Sequence, residues 1–416
     1  MKYHKNIIPY IVLLILVSII QCKKITPDNS TRSEHFLQVF NASGNQNLRT
    51  IRPTEDNGFL IVGTENYYGA VEDQGLVILK TDFAGNVKWR TNTLDSLLYP
   101  FVTYLNDGGI LLSSYVAPGK LCKLDKDGKI IFNGKIPSGT YDCFSFPLLA
   151  NDGNFLIAST NGQSQGGPST NWVDKISATG KHLGSRKFSD SSFFGKILYL
   201  NLYKFEDTAT YYFYGLKFDT TAFAWSWKDN PKMFIGKQSY SGNQLIYNNI
   251  KTIDKKNETN FNINQGIAFS NQIHLLTPDK GIVILNIQVE PNNAYLGYMV
   301  KLDEHFNILW ERELRIGING TSPYNITLNN DGNYLISGAC KMSDKIPNQP
   351  FACTISPDGK LLWSKIFTTA LSGTFYSGTQ MKDGSLLFGG TSNGFGNGSS
   401  LNDLFMIKAD KEGNVE

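Results

Sequence analysis

The sequence predicts an all-β protein, a β-propeller of seven blades, with six or eight as the alternatives. Three observations carry this. Residues 329–367 read as an Asp-Gly turn, a strand, a polar loop, a second strand, a second Asp-Gly turn and a third strand, and that unit recurs along most of the chain. Its segments, such as Tyr334-Leu335-Ile336-Ser337 and Leu361-Leu362-Trp363, are short, rich in β-branched, large apolar and aromatic residues, and do not alternate cleanly, as expected of sheets covered on both faces. The last unit stops before its fourth strand, while Phe36-Leu37-Gln38-Val39-Phe40 near the start is a spare strand that looks like Trp363-Ser364-Lys365-Ile366-Phe367. Pairing the two would complete the last blade from both ends and leave no sheet edge exposed.

The chain divides into residues 1–21, 22–35 and 36–416. Lys2 and Lys5 precede an apolar run over residues 7–20, the pattern of an export signal and shorter than a confident membrane span. Cys22, at the end of that run, resembles the cleavage and lipidation site of bacterial lipoproteins, with Gln21 standing where a small residue is usual and Lys23 following. This looser form resembles lipoproteins of the Bacteroidota. It implies a lipid anchor at Cys22 and a place at the outer membrane or cell surface; a cleaved soluble signal and an uncleaved anchor are the other readings, and all three export the chain. Residues 22–35 are polar and read as a flexible tether.

The first full unit begins near Leu48 and carries Asp56-Asn57-Gly58, then Leu79-Lys80-Thr81-Asp82 and Gly85-Asn86-Val87-Lys88-Trp89. The second carries Asp107-Gly108 and Asp127-Gly128, and the third Asp152-Gly153 and Gly180. The fourth is degenerate, with Glu206-Asp207 in place of the Asp-Gly turn and four strand-like segments over 197–204, 210–218, 232–237 and 244–250. It and residues 251–266 leave the blade count open. The fifth holds Asp279-Lys280-Gly281 and Asn307-Ile308-Leu309-Trp310, the sixth is the 329–367 stretch, and the last holds Asp383-Gly384 and Ile407-Lys408-Ala409-Asp410.

The unit, an Asp-Gly turn and strand followed by apolar-Lys-apolar-Asp-x-x-Gly and an aromatic, resembles the repeats of exported bacterial propellers, including the PQQ-like group. That resemblance implies the fold over residues 36–416. Some members are quinone-dependent dehydrogenases and others are scaffold lipoproteins of outer-membrane assembly. The chain has no vicinal cysteine pair of the kind some quinoproteins carry.

Strand direction alternates, so the tight turns lie on one face and the long, irregular loops on the other, and binding belongs with the loops. These carry Tyr67, Tyr68, Trp225, Trp227, Tyr295 and Phe395, which offer stacking area among Asn and Asp and suit glycan or protein surfaces; packing over a neighbouring blade is the plainer reading. The function expected is a non-catalytic binding or scaffold module of the cell envelope, monomeric, with a protein or glycan partner. The alternative is an enzyme, quinoprotein-like or glycan-processing, with its site at the central mouth. Glu65, Asp73, Asp229 and Glu290 are the carboxylates to consider there, but no spacing singles out a pair, so no catalytic residue is assigned.

His182, His274 and His305 sit in or beside repeat strands and turns and are read as structural. Asp125-Lys126-Asp127-Gly128 starts like a calcium loop but lacks its later ligands and is read as a turn. With no CxxC and few histidines, no metal or cofactor is expected. A near-neutral charge, +3 over the whole chain, gives no case for nucleic acid. Besides Cys22 there are Cys122, Cys143, Cys340 and Cys353; export permits bridges Cys340–Cys353 and Cys122–Cys143, and buried thiols are the other reading. Asn29, Asn257, Asn319, Asn325 and Asn397 begin glycosylation sequons, read only as a sign of surface exposure.

Overall fold

A computed structural model describes residues 35–40, 44–66, 74–93, 97, 100–113, 119–135, 143–144, 147–161, 170–188, 196–204, 211–218, 232–241, 244–253, 273–289, 295–343, 347–368, 372–393 and 402–415. After β1 (Phe36–Phe40) the strands assort into four-stranded antiparallel units. The first is β2 (Asn45–Pro53), β3 (Phe59–Asn66), β4 (Gln74–Thr81) and β5 (Val87–Thr93). The second is β6 (Phe101–Tyr104), β7 (Ile110–Ser113), β8 (Lys120–Leu124) and β9 (Ile130–Lys135). In the third, β10 (Cys143–Phe144) and β11 (Leu148–Leu149) both pair with β12 (Phe155–Asn161), followed by β13 (Thr170–Ile176) and β14 (His182–Phe188). The fourth is β15 (Lys196–Lys204), β16 (Tyr211–Phe218), β17 (Lys232–Ser241) and β18 (Gln244–Ile253). The fifth is β19 (His274–Leu276), β20 (Ile282–Val289), β21 (Tyr295–Leu302) and β22 (Ile308–Leu314). The sixth is β23 (Gly320–Leu328), β24 (Tyr334–Lys341), β25 (Gln349–Ile355) and β26 (Leu361–Ile366). The last unit has β27 (Gly373–Gln380), β28 (Leu386–Ser392) and β29 (Asp403–Ala409), and its outer edge is taken by β1, which runs antiparallel to β29 with Phe36 opposite Lys408 and Phe40 opposite Leu404. The two ends of the polypeptide therefore share one sheet.

The Asp-Gly signals fold as the sequence requires. In the turn between β4 and β5, Asp82 accepts a hydrogen bond from the backbone of Asn86 at 2.8 Å, and Gly85 takes the positive φ, +83°, that closes the turn. Asp125, the calcium-loop lookalike, accepts from the backbone N–H groups of Asp127 and Lys129 at 3.0 and 2.9 Å and is a turn of the same kind.

Five units are locked to the tight-turn face by a lysine from the third strand. Lys301 reaches Asp279 at 2.7 Å and also Thr277; Lys80 reaches Asp56 and Thr54; Lys175 reaches Asp152 at 2.5 Å; Lys123 reaches Asp107 and Lys408 reaches Asp383, each at 3.4 Å. Lys80, Lys301 and Lys408 are buried, and the turn aspartate that meets each ammonium offsets its desolvation. In the sixth unit Thr354 holds the lysine's place.

Between units, the aromatic of the fourth strand rests on the turn glycine of the next unit. A Cβ on Gly128 would come within 2.6 Å of Trp89, one on Gly180 within 2.8 Å of Phe132, and one on Gly359 within 3.0 Å of Trp310. The N-terminal strand keeps this phase, because Phe36 lies over Gly85 of the first unit at 3.1 Å by the same measure. Apolar cores fill the seams: Leu335, Phe375, Phe388 and Phe405 between the sixth and last units, Phe36, Leu48, Phe59 and Leu404 between the last and first, and Val62, Ile78, Leu112 and Cys122 between the first and second. Continuous packing runs from the fifth unit through the sixth, last, first, second and third to the fourth.

Two expectations are corrected. Cys122, Cys340 and Cys353 are buried free thiols. The Cys340–Cys353 bridge does not form, because the ladder sets Cys340 opposite Gln349 and Cys353 opposite Ile336, four positions apart on β24 and beyond the roughly 7 Å Cα separation a disulfide spans; the Cys143 side chain lies outside what the structure describes. Burial pushes the Cys122 and Cys353 thiols up to about 12 and that of Cys340 up to about 11, so they are inert. Asn325 is buried, not exposed, and its side-chain oxygen accepts a bond from the Gly378 backbone at 2.9 Å. Cys22, Asn29, Asn257 and Asn397 lie outside the described residues.

Candidate functional site

The first strand of each unit is an edge of its sheet, except that β23 of the sixth also meets β21 in a one-residue parallel bridge, Tyr295 opposite Gly320, and the first strands of the sixth, last, first and second units lie side by side in that order. They line the axis. Side-chain hydrogen bonds lace them together: Thr327 to the Gly378 carbonyl at 3.0 Å, Ser377 to the Ile51 carbonyl at 3.2 Å, and the Tyr104 hydroxyl to Thr50 Oγ1 at 3.1 Å. Satisfying buried polar groups from the neighbouring unit ties each sheet to a single position beside the next.

Three of these strands carry a one-residue bulge at the same level. In β23 it falls between Pro323 and Asn325, in β27 between Phe375 and Ser377, and in β2 between Leu48 and Thr50. A bulge leaves its extra residue out of the ladder and re-aims its side chain. The extra residues are Tyr324, Tyr376 and Arg49. The rings of Tyr324 and Tyr376 lie 5.3 Å apart, centroid to centroid, and both are half-buried. Burial pushes the Tyr324 phenol up, reinforced by Tyr376 and Tyr295; burial raises that of Tyr376 as well, against the pull of Arg49. Tyr295, 41% exposed at the start of β21 on the loop-rich face, extends the row. The result is an arc of Tyr295, Tyr324, Tyr376 and Arg49, drawn from four consecutive units. It offers neutral phenols that both donate and accept, two rings tilted at 41° to each other and one guanidinium.

Of the residues expected to bind, only Tyr295 is described, and it belongs to this arc; Tyr67, Tyr68, Trp225, Trp227 and Phe395 lie outside the described residues, as do Asp73, Asp229 and Glu290. Glu65 is buried at the end of β3 and held by Arg90 at 2.6 Å, an ion pair that orders the loop-rich end of the first unit. His182 bonds Asp174 at 3.2 Å and Ser185 at 3.0 Å, and burial pushes His274 down to about 4; both serve structure. His305 is exposed beside Glu304. Among the described residues no group of three His, Cys, Asp or Glu side chains is arranged to hold a metal. Sequence reasoning does not single out Tyr324, Tyr376 and Arg49, because the small and polar residues of these strands give no clear apolar period against which one inserted residue would show.

No family model and no curated protein matches the chain. Solved structures do. A protein of unknown function from Dyadobacter fermentans DSM 18053 is similar over 91% of this chain and 98% of that one, at 11% identity and a TM-score of 0.51. The polysaccharide lyase Uly1 is similar over 92% of this chain and 93% of its own, at 11% identity and 0.49, and the Dos1 propeller over 92% and 96%, at 11% identity and 0.48. At such identities the likeness concerns the fold alone. Four-stranded meanders side by side around a shared inner edge make that fold a β-propeller.

Proposed function

We propose that this chain is a seven-bladed propeller closed through β1, exported and lipid-anchored at Cys22, that acts as a non-catalytic binding module of the cell envelope for a protein or glycan partner. The observation that carries the binding reading is the axial arc. A hydrogen-bonded run of inner strands presents Tyr324, Tyr376 and Arg49 at matching bulges, with Tyr295 of β21 beside them, and aromatic and arginine side chains dominate recognition surfaces. The fourth and fifth units meet to close the ring in this reading.

The test pairs the wild type with a Tyr324→Ala/Tyr376→Ala variant, both carried by the full chain in detergent, against a glycan array and against solubilised envelope. A partner retained by the wild type and lost at least tenfold by the variant supports the reading. Equal retention by both proteins sinks it. Replacing Cys22 with Ser and following incorporation of labelled palmitate tests the anchor: label should enter the wild type alone.

A further inference from the structure

On the opposite, tight-turn face a second recess lies between the first and second units. Its cavity of about 710 Å³ is lined by Arg52, Asp56 and Lys80 together with Lys88, Trp89 and Tyr104 and by the turns 106–109 and 126–127. That volume falls within the usual range for small-molecule sites, roughly 300–1,000 Å³. Such a recess is not an inevitable product of the repeat. At the preceding seam the corresponding positions are Phe59, which opens the second strand, and Phe83, the second residue of the turn before the fourth strand. Their rings stack at 6.4 Å, and Lys408 covers Phe83 at 3.7 Å. At this seam the same two positions are Ile110, which is buried in the apolar core, and Lys126, which lines the cavity.

The walls are chemically mixed. Arg52, Lys80, Lys88 and Lys126 face Glu55, Asp56, Asp107 and Asp127, so the charges balance and no net field selects an ion. Several groups are already committed: Lys80 to Asp56 and Thr54, the Arg52 guanidinium to the Tyr104 ring at 4.7 Å, and Asp107 to the Gly109 backbone at 2.9 Å. Lys88 is half-exposed and only 3.4 Å from Asp56. Desolvation pushes Asp56 up, but its bonds to Lys80 and Thr54 outweigh that and keep it ionised, hence a pure acceptor. Fixed carboxylate acceptors alternating with ammonium donors suit vicinal hydroxyls, each of which gives one hydrogen bond and takes another. Trp89 supplies an apolar wall for the C–H face of a ring.

We propose that this seam is a second ligand site, separate from the axial arc, and that it takes an uncharged sugar ring, a hexose or N-acetylhexosamine unit. The probe is saturation-transfer NMR with the full chain in detergent and a mixture of glucose, galactose, N-acetylglucosamine and glucuronate. The expected result is transfer to one or more of the neutral sugars, at least tenfold weaker for Lys126→Phe, which restores the residue of the closed seam, and for Asp127→Ala on the exposed turn. All of these signals are read in the Tyr324→Ala/Tyr376→Ala background, which takes the axial arc out of the measurement, so this site can fail while the axial one stands, and the reverse. No transfer to any sugar, transfer to glucuronate alone, or a signal that survives both seam variants overturns the proposal.

Discussion

Where the last unit meets the first, Phe59 stacks on Phe83, Lys408 lies over Phe83, and the seam is closed. One unit further round, Ile110 and Lys126 take those places and a cavity opens, yet the frame is unchanged: Lys80 still meets Asp56 as Lys408 meets Asp383, and Trp89 still rests on Gly128 as Phe36 rests on Gly85. The lesson concerns division of labour. At these two seams the lysine–aspartate lock and the aromatic–glycine dock hold the units in register, so the residues between them are free to fill a seam or to leave it hollow. Even a covalent break is tolerated at the closed seam, since its aromatic arrives from the N-terminus.

The comparison is broken most severely at that break. Phe36→Ala with Phe40→Ala removes two core side chains from the closed seam, at about 3–5 kcal/mol each, and should prevent cooperative folding; a thermal melt by circular dichroism reads it. Next comes the dock. Gly128→Ala forces a Cβ into Trp89 at φ +82° and should cost about 2–4 kcal/mol in denaturant unfolding. Gly153→Ala, at φ +77° with nothing near its Cβ, isolates the backbone part and should cost about 1 kcal/mol. If the two cost the same, the dock contributes nothing.

A smaller effect of opposite sign is expected from filling the open seam. Lys126→Phe places the closed seam's turn residue on the cavity wall and should raise stability by about 1 kcal/mol, seen as a higher melting temperature. The smallest effect is the response to acid. Asp56 and Asp383 are both held below the ordinary carboxylate value of 3.8: desolvation raises each, and hydrogen bonds, from Lys80 to Asp56 and from Ser385 to Asp383, prevail. A carboxylate whose pKa is lowered by folding stabilises the native state above its unfolded value, and that contribution is lost as pH falls through the folded one. Melting temperature should therefore drop below about pH 4 in the wild type and in the filled variant alike, because both keep the locks. A filled variant resistant to acid would show that the open seam, not the lock, carries the sensitivity.

Much of this frame was legible in the residues. Asp-Gly turns fix hairpins through local geometry alone, so strand positions followed directly, and the spare strand at Phe36–Phe40 announced its partner by count. What escaped was pairing across distance. The lysine of Lys80-Thr81-Asp82 was visible as a repeat letter, but nothing local says that it reaches back to the Asp-Gly turn. The dock left a trace that could have been read: the third unit has Gly184 in the aromatic position and the fifth has Phe306, at φ +64°, in the glycine position, so the pattern lapses on both sides of the fourth unit. The axial arc left none. The inner strands GTSPYNITL and GTFYSGTQ alternate buried and half-buried positions, but their small and polar residues blur that period in the sequence, and Tyr324 and Tyr376 look like any strand tyrosine.

The sharing of one sheet by both ends is tested most directly by a cross-link. Leu37 and Ile407 stand opposite each other in the register of β1 and β29, and the buried thiols Cys122, Cys340 and Cys353 are poor competitors. In a Leu37→Cys/Ile407→Cys variant, mild oxidation of the folded protein should join the two positions quantitatively, giving faster migration on a non-reducing gel and a higher melting temperature. Cysteines that stay reduced in the folded protein, or that join only after unfolding, would contradict the closure of the last unit by the first strand.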